Sequence, residues 1–166
     1  LPNAIDRAFR TALARRAPTA VIIPSDLQSE PYEAPEHAFK QVPSSAPNAF
    51  AATLTPDPAE VERAAAILNA GERVAILVGQ GARGAAAEVA QVADVLGAGV
   101  AKALLGKDVL PDDLPFVTGS IGLLGTRPSY ELMMNCDTLL TVGSNFPYTQ
   151  FLPDFGQARG VQIDID

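Results

Sequence analysis

One cysteine, one histidine and no tryptophan occur among the 166 residues. Each scarcity removes a class of function. A lone Cys136 cannot build a disulfide framework, and with His37 it cannot supply the ligand set of a Cys/His zinc site. Basic residues are in the minority: Lys+Arg number 12 against 19 Asp+Glu, a formal charge of −7. No basic stripe is present to neutralise a phosphate backbone, which argues against nucleic-acid binding. No apolar run approaches the roughly 18 residues that a membrane span needs. No Ser or Cys stands in a nucleophile elbow, no carboxylate pair stands beside a base, and no P-loop lysine and serine occur, so the sequence gives no support to an autonomous hydrolase or phosphoryl transferase. The start, Leu-Pro-Asn, has neither the charged nor the apolar region of a secretory signal. With so little cysteine, a reducing, cytoplasmic location is expected.

What is present is a globular composition, 48% hydrophobic and 19% charged. Ile5, Phe9, Ala12 and Leu13 recur at helical spacing and predict a helix over 3–16, with Arg15 and Arg16 suited to its negative end. Ala20-Val21-Ile22-Ile23, closed by Pro24, reads as a short buried strand. Residues 24–58 then hold seven prolines, far above the background of about 5%. Proline removes backbone donors and disfavours helix before it, so an extended linker is expected over 26–56, separating an opening segment 1–25 from a domain 57–166.

That domain opens with Asp57-Pro58-Ala59-Glu60, an N-cap, a proline suited to the first turn and a glutamate placed to complete a capping box. Strands are expected at 73–78, 99–104, near 116–118, at 138–143 and at 161–165, with crossover helices at 84–96 and 127–135. Near-continuous apolar strands joined by helices predict an α/β fold, a three-layer Rossmann-like domain with a mostly parallel sheet. Such sheets bind ligands at the carboxyl ends of their strands. Gly79, Gly119, Gly122, Gly125 and Gly143 all fall there. The last block, Val-Gln-Ile-Asp-Ile-Asp (161–166), reads as a buried strand as it ends, and both ends of the chain are expected to be cut from a longer polypeptide.

Gly79-Gln80-Gly81-Ala82-Arg83-Gly84 is a G-x-G-x-x-G between a strand and a helix, a pattern that lets backbone approach a pyrophosphate at a helix N-terminus. A purely structural glycine turn is the competing reading, because strand 99–104 ends without the acidic residue that the usual dinucleotide site places there. Two more loops, from Gly119 to Thr126 and from Gly143 to Tyr148, share the sheet edge and would leave a groove suited to an extended ligand. Asp164 and Asp166 are placed either to accept from ribose hydroxyls or to cap the next element of the chain. Lys102 is odd in an apolar strand and either meets an anion or snorkels to solvent. Cys136 is read as a core residue, His37 as solvated, and Met133, Met134, Phe146, Phe151 and Phe155 as packing.

The blocks RVAILVGQGA (73–82), VTGSIGLLGT (117–126), MMNCDTLLTVGSNFPY (133–148) and VQIDID (161–166) resemble, in order and spacing, the central domain of thiamine-diphosphate enzymes. Phe146-Pro147-Tyr148 tilts the resemblance toward pyruvate oxidases and quinone-dependent pyruvate dehydrogenases, with acetolactate synthase more distant. PTAVIIPSDLQ (18–28) resembles the end of the family's pyrimidine-binding domain. The resemblance implies a six-stranded domain that holds FAD in extended form. By position, Gly79, Gln80 and Gly81 would line its diphosphate or ribityl region, and Lys102, Ala103 and Leu104 would sit beside the ribityl chain and ring. Leu123 and Leu124 would lie near the isoalloxazine, Gly143, Ser144 and Asn145 near the diphosphate, and Asp164 and Ile165 near the adenosine. It also implies thiamine diphosphate and magnesium in the parent enzyme, held by pyrimidine- and diphosphate-binding domains outside these residues. No catalytic residue or metal ligand is then expected within this chain. A spacer domain without flavin and an ADP- or NAD-binding sensor are the alternative readings. Exposed apolar surface on residues 1–25 leads to an expected homo-oligomer.

Overall fold

A computed structural model describes residues 1–32 and 54–165. The chain divides into two compact units, Leu1–Thr55 and Pro56–Asp166. In the first, α1 (Pro2–Arg15) ends at Arg16, which adopts a left-handed conformation with φ 48°. The Thr19 hydroxyl donates to the Ala8 carbonyl at 3.0 Å and turns the chain beyond Arg16 back along the helix. Ile5, Phe9 and Leu13, the apolar face that predicted this helix, remain 40–67% exposed. The strand expected at Ala20–Ile23 does not form, and Ile22 is 90% exposed. A β-branched run favours extended backbone, but a strand needs a neighbour for its N–H and C=O groups. The described residues of this unit contain no strand to provide one. Part of the expected linker is a 3-10 turn, Asp26–Ser29. His37 lies outside the described residues.

In the second unit, α2 (Pro58–Asn69) starts where expected, with the Asp57 carboxylate accepting from the Ala59 N–H at 2.9 Å. Glu60 pairs with Arg63 and no reciprocal bond of a capping box forms. Beyond it lie five parallel strands: β1 (Val74–Val78), β2 (Gly99–Lys102), β3 (Val117–Ser120), β4 (Thr138–Val142) and β5 (Arg159–Ile163), in the order β3-β2-β1-β4-β5. Between them run α3 (Ala86–Leu96) and α4 (Arg127–Asn135). Alternation along β1 divides the core. Ile76 and Val78 pack with Val89 and Ala93 of α3 and with Leu68 of α2. Ala75 and Leu77 pack on the opposite side with Met133 and Cys136, at the end of α4. The result is the expected α/β architecture of three layers, α2 and α3 on one face and α4 on the other.

Strand order reverses between β1 and β4, so the loops that leave these two strands flank a topological switch point, where open α/β sheets bind ligands. Three local expectations are corrected. The glycine motif does not run directly into an α-helix; Gln80–Ala85 forms a 3-10 helix and α3 begins only at Ala86. The 161–165 block, read as buried, is part of the edge strand β5, with Ile163 57% exposed, because no described strand pairs beyond it. Phe155, read as packing, is fully exposed. Cys136 is core, its thiol pushed up to about 11 chiefly by burial.

Candidate functional site

The loops after β1 and β4 are locked together by backbone alone. The Gly79 N–H donates to Val142 O at 2.9 Å and the Gly81 N–H to Gly143 O at 3.0 Å. A Cβ on Gly79 would lie 2.3 Å from Gly143 O, and one on Gly81 2.7 Å from Gly143 Cα. Gly84 faces open space. The first two glycines of the motif are therefore required by the neighbouring loop, whatever else approaches them.

This interlock floors a cleft of about 360 Å³, walled by Leu104 and Leu105 after β2 and by Phe146 and Tyr148 after β4. Leu104, Phe146 and Tyr148 also line a second cleft of about 170 Å³ with Leu123 and Leu124, so the two form one groove along the carboxyl edge. Its two ends differ in chemistry. At the β3 end, Leu104, Leu123 and Leu124 are 63%, 78% and 82% exposed, an apolar surface beside the edge-on pair Phe146–Tyr148, whose ring centroids are 5.4 Å apart. At the switch point the lining is Gln80, Ser144 and Asn145. Ser144 is only 9% exposed, yet its hydroxyl makes no hydrogen bond among the described residues. A buried, unpartnered hydroxyl on a residue that lines a cleft is a polar group with hydrogen-bonding capacity to spare.

Lys102 is elsewhere. It is 1% exposed and its ammonium contacts the Leu110 carbonyl and the Asp112 carboxylate, each at 2.6 Å. Hydrogen bonds from Lys102 and Lys107 hold the Asp112 carboxyl below its ordinary range. Ala103 is buried and lines the cleft wall. Asp164 is exposed after β5, its carboxylate accepting from the Ile165 N–H at 2.7 Å, and Ile165 is 59% exposed. Neither lines the groove. Asp166 lies outside the described residues. Thus Gly79, Gln80, Ala103, Leu104, Leu123, Leu124, Gly143, Ser144 and Asn145 meet in one groove, whereas Gly81, the Lys102 side chain, Asp164 and Ile165 do not line it. Leu105, Phe146 and Tyr148 join the lining without having been expected as site residues. A Leu-Leu pair leaving a strand and aromatics in a strand-end loop were the available signals. Among the described residues no cluster of His, Cys, Asp and Glu could hold a metal, and no helix is long and apolar enough to cross a membrane.

Such a sheet, with strand order reversing at its centre, defines a Rossmann-like, doubly wound α/β domain. The model of the thiamine pyrophosphate enzyme central domain matches residues 61–166, and the chain belongs to that family. Pyruvate oxidase of Lactiplantibacillus plantarum is 31% identical over the whole chain, which covers 27% of that protein. Acetolactate synthase isozyme 1 large subunit of Escherichia coli is 28% identical, again over the whole chain and 29% of the relative. A solved Mycobacterium smegmatis structure, assigned as a thiamin diphosphate-dependent enzyme, superposes with TM-score 0.54 at 23% identity, covering 76% of this chain and 26% of that one, a likeness of fold. The chain spans 40% or less of the length of the curated relatives it matches.

Proposed function

We propose that this domain holds FAD along the carboxyl edge of its sheet, within a pyruvate-oxidase-like enzyme that also carries thiamine diphosphate and magnesium on other domains. The observation that carries the reading is the groove's division into an apolar end and a polar end with an orphaned Ser144 hydroxyl. A flavin dinucleotide has the same division, a broad apolar ring and a diphosphate. The Ser144 hydroxyl, with Asn145, Gln80 and the backbone of the interlocked glycine loops, would hold the diphosphate and ribityl region. Leu104, Leu123 and Leu124 would cover the ring and exclude water, with Ala103 beside the ribityl chain. Asp164 and Ile165 would face the adenosine. Bound there, flavin supplies redox chemistry, accepting the electrons left when a 2-oxo acid is decarboxylated. The chain itself contributes binding and orientation. In this reading the parent is cytoplasmic and homo-oligomeric, and residues 1–25 close its pyrimidine-binding domain. A sedimentation series remaining monomeric at every concentration would sink the oligomer.

One observation favours a second reading, a spacer domain without flavin. Gly79, Gly81 and Gly143 are already accounted for by packing against one another. Titrating FAD into the chain, with ADP and NAD as controls, separates the two. Saturable FAD binding is expected, weakened about tenfold by Ser144→Ala through loss of a hydrogen bond to a charged group. Because that hydroxyl has no partner among the described residues, the variant's stability should stay within about 0.5 kcal/mol. No FAD binding favours the spacer, and binding of ADP or NAD alone favours a nucleotide sensor.

A further inference from the structure

Two ionic braces fix the connection between β2 and β3, and we propose that Lys102 and Arg83 act through them as positioning residues for the flavin groove. The proposal rests on the flavin reading above. Parallel strands are usually joined by an α-helix, but residues 103–116 contain only the 3-10 turn Leu104–Gly106. This irregular segment nonetheless presents Leu104 and Leu105, 63% and 62% exposed, as the wall of the cleft. Exposed leucines on a loop without regular backbone bonding keep a defined position only if something else holds the loop.

Val109 and Leu110, buried in the core, anchor the far part of the segment, and three further contacts tie it to its neighbours. Gly106 passes against the end of β1, where a Cβ would lie 2.7 Å from Val78 O. Lys102, whose stem shares a sheet face with Val100 by alternation, carries its ammonium to the Leu110 carbonyl and to Asp112. Arg83, from the glycine motif itself, places Nε 3.0 Å from Asp108 and donates from its terminal nitrogen to the Leu105 carbonyl at 3.2 Å. Arg83 therefore holds the wall itself and joins it to the loop that floors the cleft, while Lys102 holds the stretch of the same segment that follows the wall. A buried cation is a poor stabilising device, since an apolar residue of similar volume often serves as well or better. Holding one geometry is what the Lys102 pair adds.

Lys102→Met is the clean variant, because Asp112 keeps Lys107 at 3.1 Å and no buried charge is orphaned. Arg83→Met, on an exposed side chain, serves if the first fails to fold. Amide hydrogen exchange and FAD titration are read on both variants. Gly106, Lys107 and Val109 donate backbone hydrogen bonds within the loop, so their protection should fall about tenfold while β1 and β4 keep theirs. The FAD dissociation constant should rise about three- to tenfold, with the global unfolding midpoint of Lys102→Met little changed, because loss of the donor to the Leu110 carbonyl offsets relief of the buried charge. Unchanged protection in both variants overturns the braces. Lost protection with unchanged FAD affinity overturns the positioning role. If the unsubstituted chain binds no FAD, the flavin reading fails and takes the positioning role with it, while the exchange data still judge the braces.

Discussion

Gly143 sits at φ 58°, and a Cβ there would come 2.5 Å from the Ala82 nitrogen and from Gly81 Cα. Both the backbone conformation and the space require glycine. Gly84 has neither constraint, although it completes the motif whose first two glycines pack against Gly143. The two positions should respond in opposite directions. Gly143→Ala is expected to lower stability by about 2–3 kcal/mol, from strain at a left-handed residue plus the clash. Gly84→Ala is expected to raise it by about 0.4–1 kcal/mol through reduced freedom of the unfolded chain. Urea midpoints at constant m-value provide the comparison. Equal losses at both positions would mean that the interlock of the β1 and β4 loops is not what sets the need for glycine at position 143.

At the level of elements, α4 shows how a cap fixes one bank of the groove. Thr126 accepts from the Ser129 N–H at 3.3 Å and donates to the Thr118 carbonyl at 2.6 Å, while Ser129 Oγ, fully buried, lies 2.9 Å from the Thr118 hydroxyl. The start of α4 is thereby tied to β3, with Leu123 and Leu124 on the loop between them. Thr126→Ala should cost about 1–2 kcal/mol, and Thr126→Ser should recover most of it, in calorimetric or urea unfolding. Element starts of this kind were legible in the sequence. Asp57-Pro58 and the range of α4 come from local chemistry that no distant contact overrides, and β1 and β4 from apolar runs at the centre of the sheet. What failed depended on neighbours. Val21, Ile22 and Ile23 have strand propensity but no strand beside them among the described residues, and Val161 to Ile165 look buried only if another strand pairs beyond them. The groove was legible as glycines at strand ends, because topology gathers those ends on one edge. The Lys102 brace was not, because a lysine in an apolar strand signals a partner without saying whether it is a ligand or a carboxylate further along the chain.

For the molecule as a whole, the acid limit of stability is set by carboxylates that the fold has already engaged. Asp137 accepts from the backbone N–H of Glu72 at 3.2 Å and of Arg73 at 2.9 Å, joining the starts of β1 and β4. Burial pushes its carboxyl up, but the Thr138 hydroxyl, those two N–H groups and the Arg73 charge outweigh it, and the group stays below its ordinary range. Asp112, held by Lys102 and Lys107, shifts the same way. A depressed value in the folded state means that the unfolded chain binds more protons in acid. The contribution is therefore fully present above the unfolded value of about 3.9 and is lost as pH falls through the lower folded value. Urea midpoints should hold level from neutral pH to about 5 and decline below about 4. Asp137→Asn should be less stable at neutral pH, with a shallower decline in acid, so that its curve approaches that of the unsubstituted chain as pH falls. A variant curve that ran parallel to the unsubstituted one through the acid range would show that Asp137 plays no part in that limit.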